Sequence, residues 1–157
     1  MTRLSDAHLR YLTEVDHHDH LAWVALSRPD EEGLGVGRCV RLADGAVAEV
    51  ALTVVDGWQH RGVGRLLLAV LARDALDHGI SRFRAWVQPD NTPMRALIET
   101  LGGHAEHFDG GLIQVDMPLP ADGAALPDTA TGRLFRAVAR RELPAPHYPF
   151  ADRTVEG

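Results

Sequence analysis

The sequence predicts an α+β fold, and three observations carry that prediction. Short apolar runs of strand length recur between turn residues, as at 21–26, 35–42, 47–55 and 112–119. A Leu-rich run with helical spacing, 65–76, follows the glycine turn Gly62-Val63-Gly64. A further strand and helix come after it, so strands and helices are mixed along one chain of 157 residues, 45% apolar, with room for a single core.

Residues 4–15 place Leu4, Leu9, Leu12 and Val15 at roughly helical spacing, with Ser5 or Asp6 as a cap. Residues 21–26 read as a buried strand between His20 and Arg28-Pro29-Asp30, and a turn over 30–33 leads to an antiparallel partner at 35–42. Ala43-Asp44-Gly45 reverses the chain into a strand over 47–55. There Ala48, Val50, Leu52 and Val54 face one side, and Glu49, Ala51, Thr53 and Val55 the other, so Glu49 shares a largely apolar face.

The next helix is expected to bury Val63, Leu66, Leu67, Val70 and Leu71 and to stop at His78-Gly79. Residues 82–87 follow as a parallel strand through a right-handed crossover. Thr92 as cap and Pro93 at the first helical position start another helix, which Gly102-Gly103 ends. Two last strands, about 105–108 and 112–119, are joined by Asp109-Gly110-Gly111. Residues 120–128 read as a linker and 129–143 as a basic amphipathic helix with Leu134, Phe135 and Val138 on one side, before a disordered tail. The expected organisation is a domain over 1–119, a linker over 120–128, and a C-terminal helix and tail over 129–157.

A net charge of −6 argues against a nucleic-acid surface, which needs clustered cations, and favours cationic acceptors such as amines. All 16 basic residues are arginine, so the chain has no lysine of its own to modify. The lone Cys39 excludes an internal disulfide, and neither a membrane-length apolar span nor a signal-peptide start is present, so a cytoplasmic location without membrane attachment is expected.

The turn Gln59-His60-Arg61-Gly62-Val63-Gly64 joins a strand to a helix. Amides in the first turn of a helix lack intrahelical partners, and the helix dipole adds partial positive charge, so a diphosphate can sit there without a dedicated cation. Two glycines before a helix also serve a plain tight bend. Neither common phosphate loop fits: Leu67 stands where a dinucleotide fingerprint needs its third glycine, and no Gly-Lys-Ser/Thr occurs.

The wider pattern is Ala48-Glu49-Val50-Ala51-Leu52-Thr53-Val54-Val55, a Gln-x-x-Gly-x-Gly turn, a helix, a strand, then Asn91-Thr92-Pro93-Met94 opening a helix that ends Leu101-Gly102-Gly103. This resembles the GNAT superfamily of N-acetyltransferases over residues 4–119. Thr53-Val54-Val55-Asp56, Trp58-Gln59 and the early Val15-Asp16-His17-His18-Asp19-His20 are similar to Pat-type domains, which acetylate protein lysines. The resemblance implies a GNAT (acyl-CoA N-acyltransferase) fold, a mixed central sheet flanked by helices, here without the family's first strand and helix. It implies acetyl-CoA as co-substrate, no metal, and an amine acceptor, either a small molecule or a protein lysine. The exposed core is expected to be covered by the C-terminal helix or by a partner in a homodimer, or else the start is truncated. Pat-type proteins often carry a regulatory domain, and none fits within this length.

On the same resemblance, the pantetheine arm lies along the strand with Val54 and Val55. The diphosphate sits on Gln59, His60, Arg61, Gly62, Val63, Gly64 and Arg65, with Asn91 beside the cofactor. Arg61 and Arg65 either touch phosphate or are solvated at the helix start. Glu49 is the candidate general base, because an amine arrives as ammonium and must lose a proton before attack. Apolar strand neighbours are expected to desolvate it; a solvent-facing Glu49, or one paired with an arginine, is the alternative. Many GNAT enzymes carry a tyrosine acid at the position of Ile98, and Tyr11 and Tyr148 are elsewhere. Thiols ionise near ~8.5, so a thiolate leaves without a dedicated acid; a water or a histidine is the other source of the proton.

His17-His18-Asp19-His20 has the donors for zinc but no second ligand cluster, and reads as a polar loop; the resemblance hints at a role near the acceptor. His104 and His107 read as members of an exposed strand, Trp58 and Trp86 as packing residues, and Trp23 as part of a core strand. A catalytically idle acyl-CoA-binding regulatory module is the rival reading.

Overall fold

The computed structural model describes residues 15–122 and 126–143. Apart from Val15, the helix expected at 4–15 lies outside the described residues, as does the tail after 143, with Tyr11 and Tyr148. Six strands, β1 (His20–Leu26), β2 (Gly33–Arg41), β3 (Val47–Val54), β4 (Arg82–Val87), β5 (His104–Asp109) and β6 (Leu112–Pro118), form one sheet in the order β1-β2-β3-β4-β6-β5. Three helices accompany it: α1 (Val63–Asp77), α2 (Thr92–Thr100) and α3 (Ala130–Ala139).

The β1–β2–β3 meander is antiparallel because Ala43-Asp44-Gly45 and the 27–32 loop are too short for anything but hairpins. Asp44 holds the β2–β3 reversal by accepting the amides of Ala46 and Val47. β3 and β4 are parallel and joined through α1, as the crossover spacing predicts. β6 inserts between β4 and β5, antiparallel to both.

The core lies between the sheet and the helices. Leu21, Cys39, Ala48, Phe83 and Met117 are buried on the strand side, and Leu68, Leu71, Ile98, Phe135 and Val138 on the helix side. α1 approaches β2 so closely that a Cβ on Gly37 would lie 2.9 Å from a Leu71 methyl and 2.7 Å from one of Leu52, which explains a glycine in mid-strand.

The expected buried face of α1 needs correction. Leu66 is 49% exposed and Val63 and Val70 are half-buried, whereas every residue from Leu71 to Ala75 is buried. A helix buried all round has two partners. The second is α3, which packs on α1 and α2 with Phe135 and Val138 fully enclosed. α3 begins one residue later than the sequence suggests, because the Thr129 hydroxyl caps it by accepting the Gly132 amide, and it ends at Ala139. α2 is likewise capped by Asn91, whose side chain accepts the Met94 amide at 3.2 Å, so Thr92 is its first residue and not its cap.

Trp23 is only half-buried, and its indole N–H donates to the buried Asp74 carboxylate of α1 at 2.9 Å. That bond ties β1 to the helix and satisfies a carboxylate that could not otherwise be buried cheaply.

Candidate active site

The site begins where the parallel strands part. β3 and β4 are aligned over Val47–Arg82, Ala48–Phe83 and Glu49–Arg84, and beyond Glu49 the pairing stops although both strands continue. The opened space leads to a cavity of about 830 Å³ between the end of β3, the turn before α1, and α2.

Of the sequence-predicted residues, Val54, Gln59, His60, Gly62, Val63, Gly64, Arg65 and Asn91 line this cavity together. Val55, Arg61 and Glu49 are not among its lining residues. Val55 ends the extended segment one residue past β3 and opens a single 3₁₀ turn, Asp56–Trp58. The Arg61 guanidinium lies over the ring of Trp58, itself a cavity-lining residue, at 5.0 Å, a cation–π contact.

Gln59 closes this turn. Its side chain donates to the Val54 carbonyl at 3.3 Å and to the Asp56 carboxylate at 3.2 Å, and its amide donates to the Asp56 carbonyl. The Gln59 amide is thus already used within the turn, and the amides without a backbone partner follow it. After it, His60 and Gly62 both take left-handed backbone conformations, φ 60° and 86°, which re-aim the chain into α1. Gly62 is the helix cap and offers no side chain to it. Among the described residues no backbone carbonyl accepts from the amides of residues 60–65; the first bond of α1 runs from Leu66 to Gly62 at 3.0 Å.

The two glycines differ. Gly62 is required by its positive φ. Gly64 is helical, and a Cβ there would meet nothing nearer than a Val54 methyl at 3.7 Å, so the protein's own packing does not demand glycine. Glycine at that point leaves the backbone open to close approach by a ligand, and uncapped amides with a dipole beside them suit a phosphate ester. The residues present therefore fit the phosphate end of an acyl-CoA.

Glu49 is exposed on β3. The expected desolvation by apolar neighbours is not met, because the outer face formed by Glu49, Ala51 and Thr53 is open. The alternative pairing with an arginine is not met either: among the described residues the Glu49 side chain makes no hydrogen bond or ion pair. Its register partner Arg84 instead donates to Asp116 twice, Nε to Oδ1 at 2.8 Å and Nη2 to Oδ2 at 2.9 Å. That fork holds the Asp116 carboxyl below the usual aspartate range against the opposing effect of burial, with the charges of Arg84, Arg82 and His104 adding to it.

Sequence reasoning missed several walls of the cavity. Met94 and Leu97 project from α2 at a spacing of three, a signal that was available. Thr131 of α3 also lines it, and Arg65 donates to its hydroxyl at 3.4 Å. No local signal joins residues 66 apart across a linker. Ile98, where the resemblance leads one to look for a tyrosine acid, is 1% exposed and belongs to the core.

The histidine segment leads into β1, whose first residue is His20. The Asp16 carboxylate accepts the amides of His18, Asp19 and His20 at 2.8–2.9 Å, and these bonds, that of His20 foremost, lower its pKa. Among the described residues no group of three or more His, Cys, Asp or Glu side chains gathers to hold a metal. Burial pushes the Cys39 thiol up to about 12, so it is no nucleophile. No helix among the described residues is long and apolar enough to cross a membrane.

Residues 2–102 match the acetyltransferase (GNAT) family. The chain is 37% identical over 113 residues to Acetyltransferase Pat of Mycolicibacterium smegmatis, covering 71% of this chain and 34% of that protein. Among solved structures it resembles the GNAT domain of S. lividans PAT, with TM-score 0.65, 30% identity, and 74% of this chain and 70% of that one covered. It also resembles a cAMP-binding acyltransferase from Mycobacterium smegmatis, with TM-score 0.63, 30% identity, and 90% and 46% covered. The chain thus spans about a third of the length of the Mycolicibacterium smegmatis relative, at 34%.

Proposed function

Because the chain belongs to the acetyltransferase (GNAT) family, we propose that it moves an acetyl group from acetyl-CoA to a primary amine, with Glu49 as general base. The observation that carries this reading is the parting of β3 from β4 directly into a cavity walled by an uncapped glycine turn. When bound, acetyl-CoA supplies a thioester carbonyl open to attack by a neutral amine. The amides of residues 60–65 hold its diphosphate, and the unpaired edge of β3 from Val50 to Thr53 offers backbone donors and acceptors to the pantetheine. Glu49 stands at the vertex of the opening, exposed to an arriving ammonium group, and takes its proton directly or through one water.

A protein lysine is the acceptor we favour, on the similarity to Pat-type domains. A net charge of −6 suits a cationic acceptor. One observation favours the rival reading of a catalytically idle acyl-CoA-binding module: Ile98 is in the core and brings no phenol to the leaving thiolate. Calorimetry with acetyl-CoA, followed by measurement of CoA release with a panel of amines and lysine-containing proteins, separates the two. Binding with release supports the enzyme, binding without release to any acceptor supports the module, and no binding removes both.

A further inference from the structure

We propose that the C-terminal helix completes the cofactor site: Thr131 on α3 positions the Arg65 guanidinium to pair with a phosphate of the acyl donor. This rests on the acetyl-CoA reading above. Arg65 is the one arginine among the described residues lining the cavity. Its side chain folds back over the turn, where a Cβ on Gly62 would lie 3.2 Å from Nη2, and Nη1 donates to the Thr131 hydroxyl at 3.4 Å. The other arginine of the turn, Arg61, is stacked on Trp58.

Arg65 is half-buried, and among the described residues no carboxylate pairs with it. A guanidinium carries five donors, and one hydroxyl takes only one of them. The remainder sit beside the open amides of the turn, where a second positive group without a counter-ion adds to the attraction for an anion. Thr131 is held firmly, because α3 is anchored by the fully buried Phe135 and Val138, and Arg141 just beyond it pairs with Asp77 of α1 at 3.3 Å. Thr131, Phe135, Val138 and Arg141 lie beyond the 2–102 stretch that matches the family, so the cofactor wall extends past it.

The test is calorimetric titration of CoA and of dephospho-CoA into the wild-type chain, Arg65→Ala, Thr131→Val, Thr131→Ser and the Arg65→Ala/Thr131→Val double variant, with unfolding midpoints measured alongside. Arg65→Ala should weaken CoA binding about tenfold or more, as for loss of a charge-assisted bond. Thr131→Val should weaken it about threefold, have no further effect once Arg65 is gone, and be rescued by serine. A loss larger for CoA than for dephospho-CoA assigns Arg65 to the ribose 3′-phosphate, and an equal loss assigns it to the diphosphate; both support the proposal. Wild-type binding of CoA with unchanged affinity in Arg65→Ala or in Thr131→Val overturns it and leaves the acetyl-CoA reading intact. A wild-type chain that binds no CoA overturns both.

Discussion

Glu49 and Arg84 are the last aligned residues of the two parallel strands, and Arg84 gives its guanidinium to Asp116 while Glu49 stays unpaired. A carboxylate at the mouth of the strand opening is thereby kept from the nearest cation on its own row of the sheet. An ion pair there would hold the proton acceptor in its ionised, occupied form and slow proton removal from an amine.

Glu49→Gln is accordingly expected to lower kcat about 100-fold or more, the range for loss of a general base. Acetyl-CoA affinity should stay at the wild-type value, because Glu49 is not among the residues lining the cavity. Steady-state rates with calorimetry on the same preparation check both halves, and a variant at full rate removes Glu49 from the mechanism.

Asp116→Asn should act through Arg84. With one fork partner weakened, the guanidinium is released toward Glu49, so kcat falls and its acidic limb moves to lower pH while acetyl-CoA affinity holds. The Asp116 carboxyl titrates lower in the folded chain than its ordinary ~3.9. Its stabilising contribution is therefore complete above that value and is lost as pH falls through the lower, folded value. The variant should be less stable than wild type at neutral pH, with the gap closing in acid. Chemical denaturation between neutral pH and pH ~3 tests this, and a gap that is constant with pH would contradict the ion-pair assignment.

The two glycines of the turn should respond in opposite ways. Gly62→Ala places a side chain at φ 86° and should cost about 1–2 kcal/mol of stability. Gly64→Ala has space within the protein and should leave stability unchanged or raise it by up to about 1 kcal/mol. Yet Gly64→Ala should weaken acetyl-CoA binding at least tenfold, since the added methyl stands where a diphosphate must approach the amides. Melting midpoints set against titrated affinities distinguish a stabilised variant that has lost its ligand from one that has lost its fold.

Phe135→Ala should cost about 3–5 kcal/mol, the penalty for emptying a fully enclosed aromatic site. A C-terminal helix that only rested on the surface would give less than 1 kcal/mol. Denaturant unfolding monitored by far-ultraviolet circular dichroism measures the difference.

Much of this protein is written locally in its sequence. Alternation at residues 47–54 places Ala48, Val50, Leu52 and Val54 on the α1 side and Glu49 on the other, and Gly79, Gly102 and Gly110 stand at positive φ where the chain has to stop or turn. The glycine turn before α1 was legible too, because left-handed backbone and uncapped amides depend on residues within six positions of one another. What only the tertiary structure decided is long-range. α1 proved to be buried on two sides because α3 returns to it from beyond a linker. Asp116 claimed Arg84, leaving Glu49 open where desolvation was expected. Thr131 joined a cavity formed 66 residues earlier in the chain. Periodicity records which side of an element is apolar, but which side chain a cation selects depends on distances between strands that are far apart in sequence.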